Sequence, residues 1–313
     1  AMDPADVVAI RSQVSDAPPL GRRDMLDIGR RLADRWKDSG LSWLCWGPVG
    51  PQWCSDELLA DVREIAKADE PIHIHLAETR RQVVFGLREY GVSPALHLRQ
   101  LGFLGPDVAC AHCVWLDGED RAALAETGAF AVCNPSSNLR LQSGRADIRA
   151  LRADGVRLAL GLDGQTLNDD QDIWTELRLA RSLTAEMGGF GRVKSPETLF
   201  DMVGVTAAAA TGGPVSGRGE IIAGGAADMI AIDLSAISGP WTSTNVPLID
   251  RVLSRGCPRD VILSIVAGQF RFDGREEIDA KLIAAAEVIS QWLAENAGKN
   301  TASAAVAKIL SRA

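Results

Sequence analysis

The segment PIHIHLAET, residues 71–79, places His73, His75 and Glu78 close together. On a β-strand, side chains alternate, so Ile72, Ile74 and Leu76 share one face while His73, His75 and Ala77 share the other. Such a strand is apolar on one side and carries two imidazoles on the other, with a carboxylate just past its end. Two further segments end the same way, ACAHCVWL with His112 and LALGLDGQ with Asp163. Imidazole nitrogen and carboxylate oxygen are natural ligands of zinc and similar divalent ions. A metal held there brings the pKa of its water toward 7, and a neighbouring carboxylate can take and return the proton. The residues therefore suggest hydrolysis.

Groups of this kind meet only if strands deliver them to one place. Short β-rich runs begin at 7, 41, 71, 107, 129 and 156, and amphipathic helical patterns such as RDMLDIGRRLADRWKDSG, SDELLADVREIAKAD and DIWTELRLARSL separate several of them. Ser55 is the expected cap of the second helix, with acids in its first turn. This alternation predicts an α/β fold with a parallel sheet, most simply a TIM-like (β/α)8 barrel, whose functional groups sit at the C-terminal strand ends. Asp163 has small inward neighbours, Ala159 and Gly161, that leave room for a ligand. Beyond residue 212 the texture becomes rich in glycine and alanine, and RDVILSIVAGQFRFDG suggests two strands around Gly268. The expected division is a barrel domain over 1–212, a β-appendage over 213–275 and helices over 276–313.

The whole chain has 313 residues, 46% of them hydrophobic, and a formal net charge of −8. That length supports a large core, and the acidic balance argues against a nucleic-acid partner. No apolar run reaches the roughly 18 residues that a membrane span requires. Six scattered cysteines suit buried thiols in a reducing compartment, so a cytoplasmic location is expected. Association with a second copy is left open.

Four motifs in order, HIHLAET, AHCVWL, NPSSNLRLQSG and GVRLALGLDGQTLNDDQDIWTELRLA, resemble strands five to eight of the amidohydrolase superfamily. The similarity is greatest to its aminohydrolases and chlorohydrolases of purines, pterins and triazines, and it extends to CWGPVGPQWCSDELL and to GGAADMIAIDL in the appendage. It implies a metal-dependent hydrolase that cleaves C–N or similar bonds of amidine-like nitrogen heterocycles, most simply a deaminase with a small heterocyclic substrate. By position, the resemblance makes His75 a metal ligand, Glu78 the proton shuttle, His112 the group that polarises substrate or water, and Asp163 both ligand and base. The metal would be zinc, with iron or manganese as alternatives. Asn134, Ser137 and Asn138 fall in a loop that shapes the site.

The family's strand-one H-x-H pair has no counterpart, because the four histidines are His73, His75, His97 and His112. VVAIRSQVSDAPP resembles strand three, so strands one and two, and half of a small β-sandwich appendage, are expected to be missing. On this reading the chain is expected to hold metal weakly or not at all, with His73 the substitute ligand, and the rival function is a catalytically silent fragment that packs or binds. Plainer readings apply elsewhere. His73 also suits a core role and His97 a structural one. CAHC at 110–113 is a lone C-x-x-C whose sulfurs would face opposite ways on a strand. Asp169, Asp170 and Asp172 mark a helix start, Glu176 is a structural polar contact, and GRGEIIAGG forms turns.

Overall fold

The computed structural model describes residues 21–38, 40–164, 167, 170–184, 196–213, 215–238, 245–273 and 288. The run at 7–14 and the helical tail over 276–313, Val288 apart, lie outside the described residues. The chain forms two compact units, Ala1–Leu44 and Cys45–Ala313. In the first, the helix Arg22–Trp36 follows the expected pattern.

The second unit carries His73, His75, Glu78, His112 and Asp163. Its parallel sheet has the order β1 (Ile72–Leu76), β2 (Val108–His112), β3 (Phe130–Cys133) and β4 (Arg157–Leu160). Helices follow the strands, among them Arg80–Glu89 and Pro94–Gln100 after β1, Gly118–Thr127 after β2 and Ile148–Ala153 before β4. The 41–47 run does not form a regular strand. Trp46 makes one parallel bridge to Ile72, and the carbonyls of Trp46 and Val49 accept from the backbone N–H groups of His73 and His75 at 2.8 and 3.2 Å. This irregular segment flanks β1 and brings the Val49 carbonyl beside His75.

The two faces of the sheet differ as the alternation requires. Ile72, Ile74 and Leu76 of β1 are buried, whereas His73 and His75 are only half-buried. In register beside the histidines stand Ala109 and Ala111, then Phe130 and Val132. Ala109, Phe130, Ala159 and Ala210 form a buried cluster under the histidine face, and the Arg157 guanidinium lies 3.6 Å from the centre of the Phe130 ring.

Local signals explain the helix positions. The Ser55 hydroxyl accepts from Leu58 N at the start of Asp56–Ile65, and Asp172 accepts from Trp174 N at the start of Ile173–Leu183. His97 has the structural role expected of it, bonded to Asp56 at 2.8 Å and stacked on Tyr90 with centroids 3.7 Å apart. Of the expected sandwich, the described residues contribute one antiparallel sheet, β5 (Met229–Ile232), β6 (Val261–Val266) and β7 (Gln269–Asp273). β6 and β7 are joined through Ala267 and Gly268, both with positive φ (51° and 73°), the pattern of a type I′ hairpin. Among the described residues no helix is long and apolar enough to cross a membrane.

Phe130 is fully buried, so Phe130→Ala leaves a cavity beneath the histidines. Urea unfolding is expected to show a loss of about 3–5 kcal/mol; a loss under about 1 kcal/mol, within the reach of an ordinary surface substitution, would mean that this cluster does not support the sheet.

Candidate active site

The C-terminal ends of β1, β2 and β4 converge on His112, which is 2% exposed. Its ring stacks on that of His75, centroids 5.3 Å apart and planes 18° from parallel. Register alone would aim it elsewhere, since His112 lies beside Leu76 and not beside His75. The backbone resolves this: His112 and Cys113 have φ of 73° and 51°, so the chain turns left-handed at the strand end and carries the ring round. Ala77 before Glu78 (φ 47°) and Asp163 itself (φ 64°) adopt the same region. Three strand ends thus share one uncommon conformation.

Each ring has a defined tautomer. The Val49 carbonyl accepts from His75 Nδ1–H at 2.5 Å, which leaves the Nε2 lone pair free. The Asn138 amide donates to His112 Nδ1 at 3.0 Å, so the neutral ring carries its proton on Nε2, 3.9 Å from Glu78 Oε2. Glu78 is steadied through Oε1, which accepts from the Ser143 hydroxyl at 2.8 Å, and its backbone N–H donates to Gln82 Oε1 at 2.6 Å. Asp163 is exposed and accepts from the Ser137 hydroxyl at 2.6 Å and from Gly164 N at 3.0 Å. His73 turns to the Ala210 carbonyl, to which Nε2 donates at 3.1 Å.

Burial holds the His112 imidazole below the ordinary histidine range, against the upward pull of the Glu78 and Asp163 carboxylates, while His75 pushes it down further. The ring therefore favours its neutral form, with Nε2–H as a donor. Asn134, a site-shaping residue in the sequence, accepts through Oδ1 from His112 N at 3.2 Å. Gly161 makes room for it, because a Cβ there would come within 2.8 Å of Asn134 Nδ2.

Sequence reasoning missed Ser143 and the Val49 carbonyl. Ser143 lies inside the quoted NPSSNLRLQSG motif, so its place there was an available signal; a main-chain carbonyl leaves none. Glu176 is a buried polar contact: its carboxylate accepts from the Ser136 backbone N–H at 3.3 Å and from the Ser136 hydroxyl. Asp172 caps the helix as expected, with Asp170 accepting from its N–H at 2.9 Å, and Asp169 lies outside the described residues. Cys110 and Cys113 are both buried, and burial pushes the Cys110 thiol up to about 12 and Cys113 well above its usual value. These are packed thiols, and all six cysteines are free.

His75 Nε2 and the Asp163 carboxylate are suitable metal donors, but a protein zinc site takes three or four. Among the described residues no three His, Cys, Asp or Glu side chains come together in a way that holds a metal. The described residues therefore fit part of a metal site and not a complete one.

A parallel β/α sheet with histidines and carboxylates at its C-terminal strand ends is the frame of a TIM-barrel hydrolase. The chain belongs to the amidohydrolase family, whose profile matches residues 27–271. It is 34% identical over 218 residues to a 5'-deoxyadenosine deaminase of Methanosarcina mazei, covering 68% of this chain and 49% of that protein. It is 36% identical over 204 residues to a 5-methylthioadenosine/S-adenosylhomocysteine deaminase of Syntrophobacter fumaroxidans, covering 64% and 46%. The chain thus spans about half the length of these relatives. Among solved structures, an adenosine deaminase from Xanthomonas campestris with bound zinc superposes with a TM-score of 0.73 at 28% identity, over 85% of this chain and 61% of that one. A triazine hydrolase variant superposes at 0.74 with 22% identity over 88% and 61%, a likeness of fold.

Burial raises the Glu176 carboxyl to about 7, against the Ser136 backbone bond that lowers it. A carboxyl raised by folding stabilises most below its unfolded value near 4.5, and that contribution fades as pH climbs through about 7. Glu176→Gln should therefore melt close to the native protein at pH 4 and above it at pH 8. Parallel melting curves across this range would contradict the shift.

Proposed function

We propose that this chain carries the proton-handling part of a hydrolytic deaminase site for 6-aminopurine nucleosides, with 5'-substituted adenosines as the substrate class. The observation that carries the reading is the gathering of Glu78, His75 and Asp163 around one buried, neutral His112. The names of the deaminase relatives support the choice of substrate.

In the net reaction, water oxygen bonds to the amidine-like ring carbon, the exocyclic C–N bond breaks, and ammonia leaves with the oxopurine. Glu78 Oε2 faces the site while Oε1 is occupied by Ser143, so one oxygen is free to carry a proton to the ring nitrogen and later to the leaving amine. Asp163 takes the proton that water loses. His112 Nε2–H donates to the oxygen as charge develops on it. Its lowered basicity favours the neutral ring, whose single proton sits on Nε2 because Asn138 donates to Nδ1.

His75 and Asp163 are the residues proposed to hold a divalent metal, zinc or else iron or manganese, with His73 as a substitute. A bound metal would supply Lewis acidity, and its remaining ligands must come from outside the described group. As a substitute His73 would have to offer Nδ1, because its Nε2–H donates to the Ala210 carbonyl.

Two measurements follow. With too few donors in one place, this chain alone should hold zinc weakly, so dialysis against metal-free buffer should leave well under one equivalent by elemental analysis. Stoichiometric zinc that His75→Ala abolishes would refute this. In the protein with its metal ligands complete, Glu78→Gln should keep metal and melting temperature but lower ammonia release from 5'-deoxyadenosine about 10²–10⁴-fold. Equal rates would remove Glu78 from the mechanism.

A further inference from the structure

Three successive residues of the short helix Pro135–Arg140 each hold a different partner. Ser136 donates to Glu176 through its backbone N–H and its hydroxyl, Ser137 to Asp163 at 2.6 Å, and Asn138 to His112 Nδ1 at 3.0 Å. Successive helical residues point about 100° apart, so the three contacts fan over one arc and share one rotational setting. A small rotation of the helix about its axis would misplace the Ser137 hydroxyl and the Asn138 amide together.

The helix lacks the usual means of fixing that setting. Its N-cap residue, Asn134, makes no side-chain cap bond, because its Oδ1 is given instead to His112 N. The free N–H groups of a first turn need an acceptor, and Glu176 supplies one from a different helix, Ile173–Leu183, across forty positions of sequence. Glu176 is 1% exposed. A buried carboxylate is a costly acceptor where a neutral cap would serve, yet its two oxygens grip both donors of one residue, which an N-cap side chain does not do.

We infer that Glu176 is a positioning residue of the site: by gripping Ser136 it sets the rotation of helix Pro135–Arg140 and thereby the orientation of His112 and Asp163. The catalytic meaning of this rests on the function proposed above; the geometric claim does not. Glu176 touches neither substrate nor reacting atoms, and acts through the helix alone.

The test reads His112 directly. The chain has four histidines, so selective nitrogen-15 labelling gives a simple ring spectrum, assigned by single replacements. In the native chain at neutral pH, His112 should show one tautomer, protonated at Nε2. Glu176→Gln keeps an acceptor oxygen for Ser136 and should preserve that pattern. Glu176→Ala should replace it by an averaged one, while His97, tied to Asp56, stays unchanged and reports that the chain is folded. Native His112 signals in a folded Glu176→Ala chain would overturn the inference, as would equal loss in the Gln variant. If Glu176→Ala does not fold, Ser136→Ala decides, since it deletes the hydroxyl donor only: movement of His112 in the same sense supports the inference, and no movement overturns it. In the active protein, Glu176→Ala should lower kcat about tenfold to a hundredfold with KM nearly unchanged, and Glu176→Gln should restore it. His112 signals that respond as expected, in a protein that releases no ammonia from any 6-aminopurine nucleoside, would retire the proposed function and leave the positioning role standing.

Discussion

The left-handed turn of the backbone at the end of β2 is the constraint on which the site depends. A non-glycine residue in this region carries a cost of order 1–3 kcal/mol, and His112 and Cys113 both adopt it in succession. What holds them there is visible in the contacts. Asn134 accepts from His112 N, Leu76 and Ala111 carbonyls accept from Cys113 N at 3.1 Å, and the Ala77 carbonyl accepts from Trp115 N at 2.9 Å. The neighbouring strand end therefore grips the turn from one side and the helix Pro135–Arg140 from the other. Without the turn, the buried ring would follow Leu76 to the helix-packed face, and its approach to Glu78 and its stacking on His75 would be lost.

That turn also marks the boundary of what the sequence discloses. Alternation in PIHIHLA predicts both faces of β1 correctly because a period of two is a property of the extended chain, and burial follows it residue by residue. Helix starts at Ser55 and Asp172 are legible for the same reason, since a cap is a local bond. The meeting of His75 with His112 is not local. It needs a φ that histidine tolerates but does not announce, together with a carbonyl, Val49, that any residue could offer. The 41–47 run shows the converse failure, in which strand-forming side chains give only a bridge at Trp46. Its β propensity describes residues that fit a pleated surface, and regular pairing depends on the neighbour.

Electrostatics and packing act in opposite directions on the same groups. Burial depresses the basicity of His112, and the carboxylates beside it restore part of the loss. The result is an imidazole that keeps its Nε2 proton as a hydrogen-bond donor and is disfavoured from taking a second proton on Nδ1. The small residues Ala109, Ala111 and Ala159 make this arrangement possible, since larger side chains on that face would occupy the space the stacked rings require. Gly161 serves the same end at closer range, where even a methyl group would displace the Asn134 side chain that steadies the turn.

Proton handling and metal binding make different demands on a protein, and the described residues meet them unequally. The proton carrier proposed above needs one anchored oxygen and one left open to the site, and in Glu78 Oε1 is held by Ser143 while Oε2 lies 3.9 Å from His112 Nε2. A metal site needs three or more donors converging on a single point, a condition that separate strands must satisfy together. Here one imidazole nitrogen and one carboxylate are poised, and His73, the nearest addition on the same face, turns its Nε2 to the Ala210 carbonyl and could offer only Nδ1. Hydrogen bonds can be completed locally, within a motif or between adjacent strand ends, whereas coordination is completed only when the donors of distant strands share one centre. For this reason the hydrogen bonds around His112 are complete among the described residues while a set of three metal donors is not.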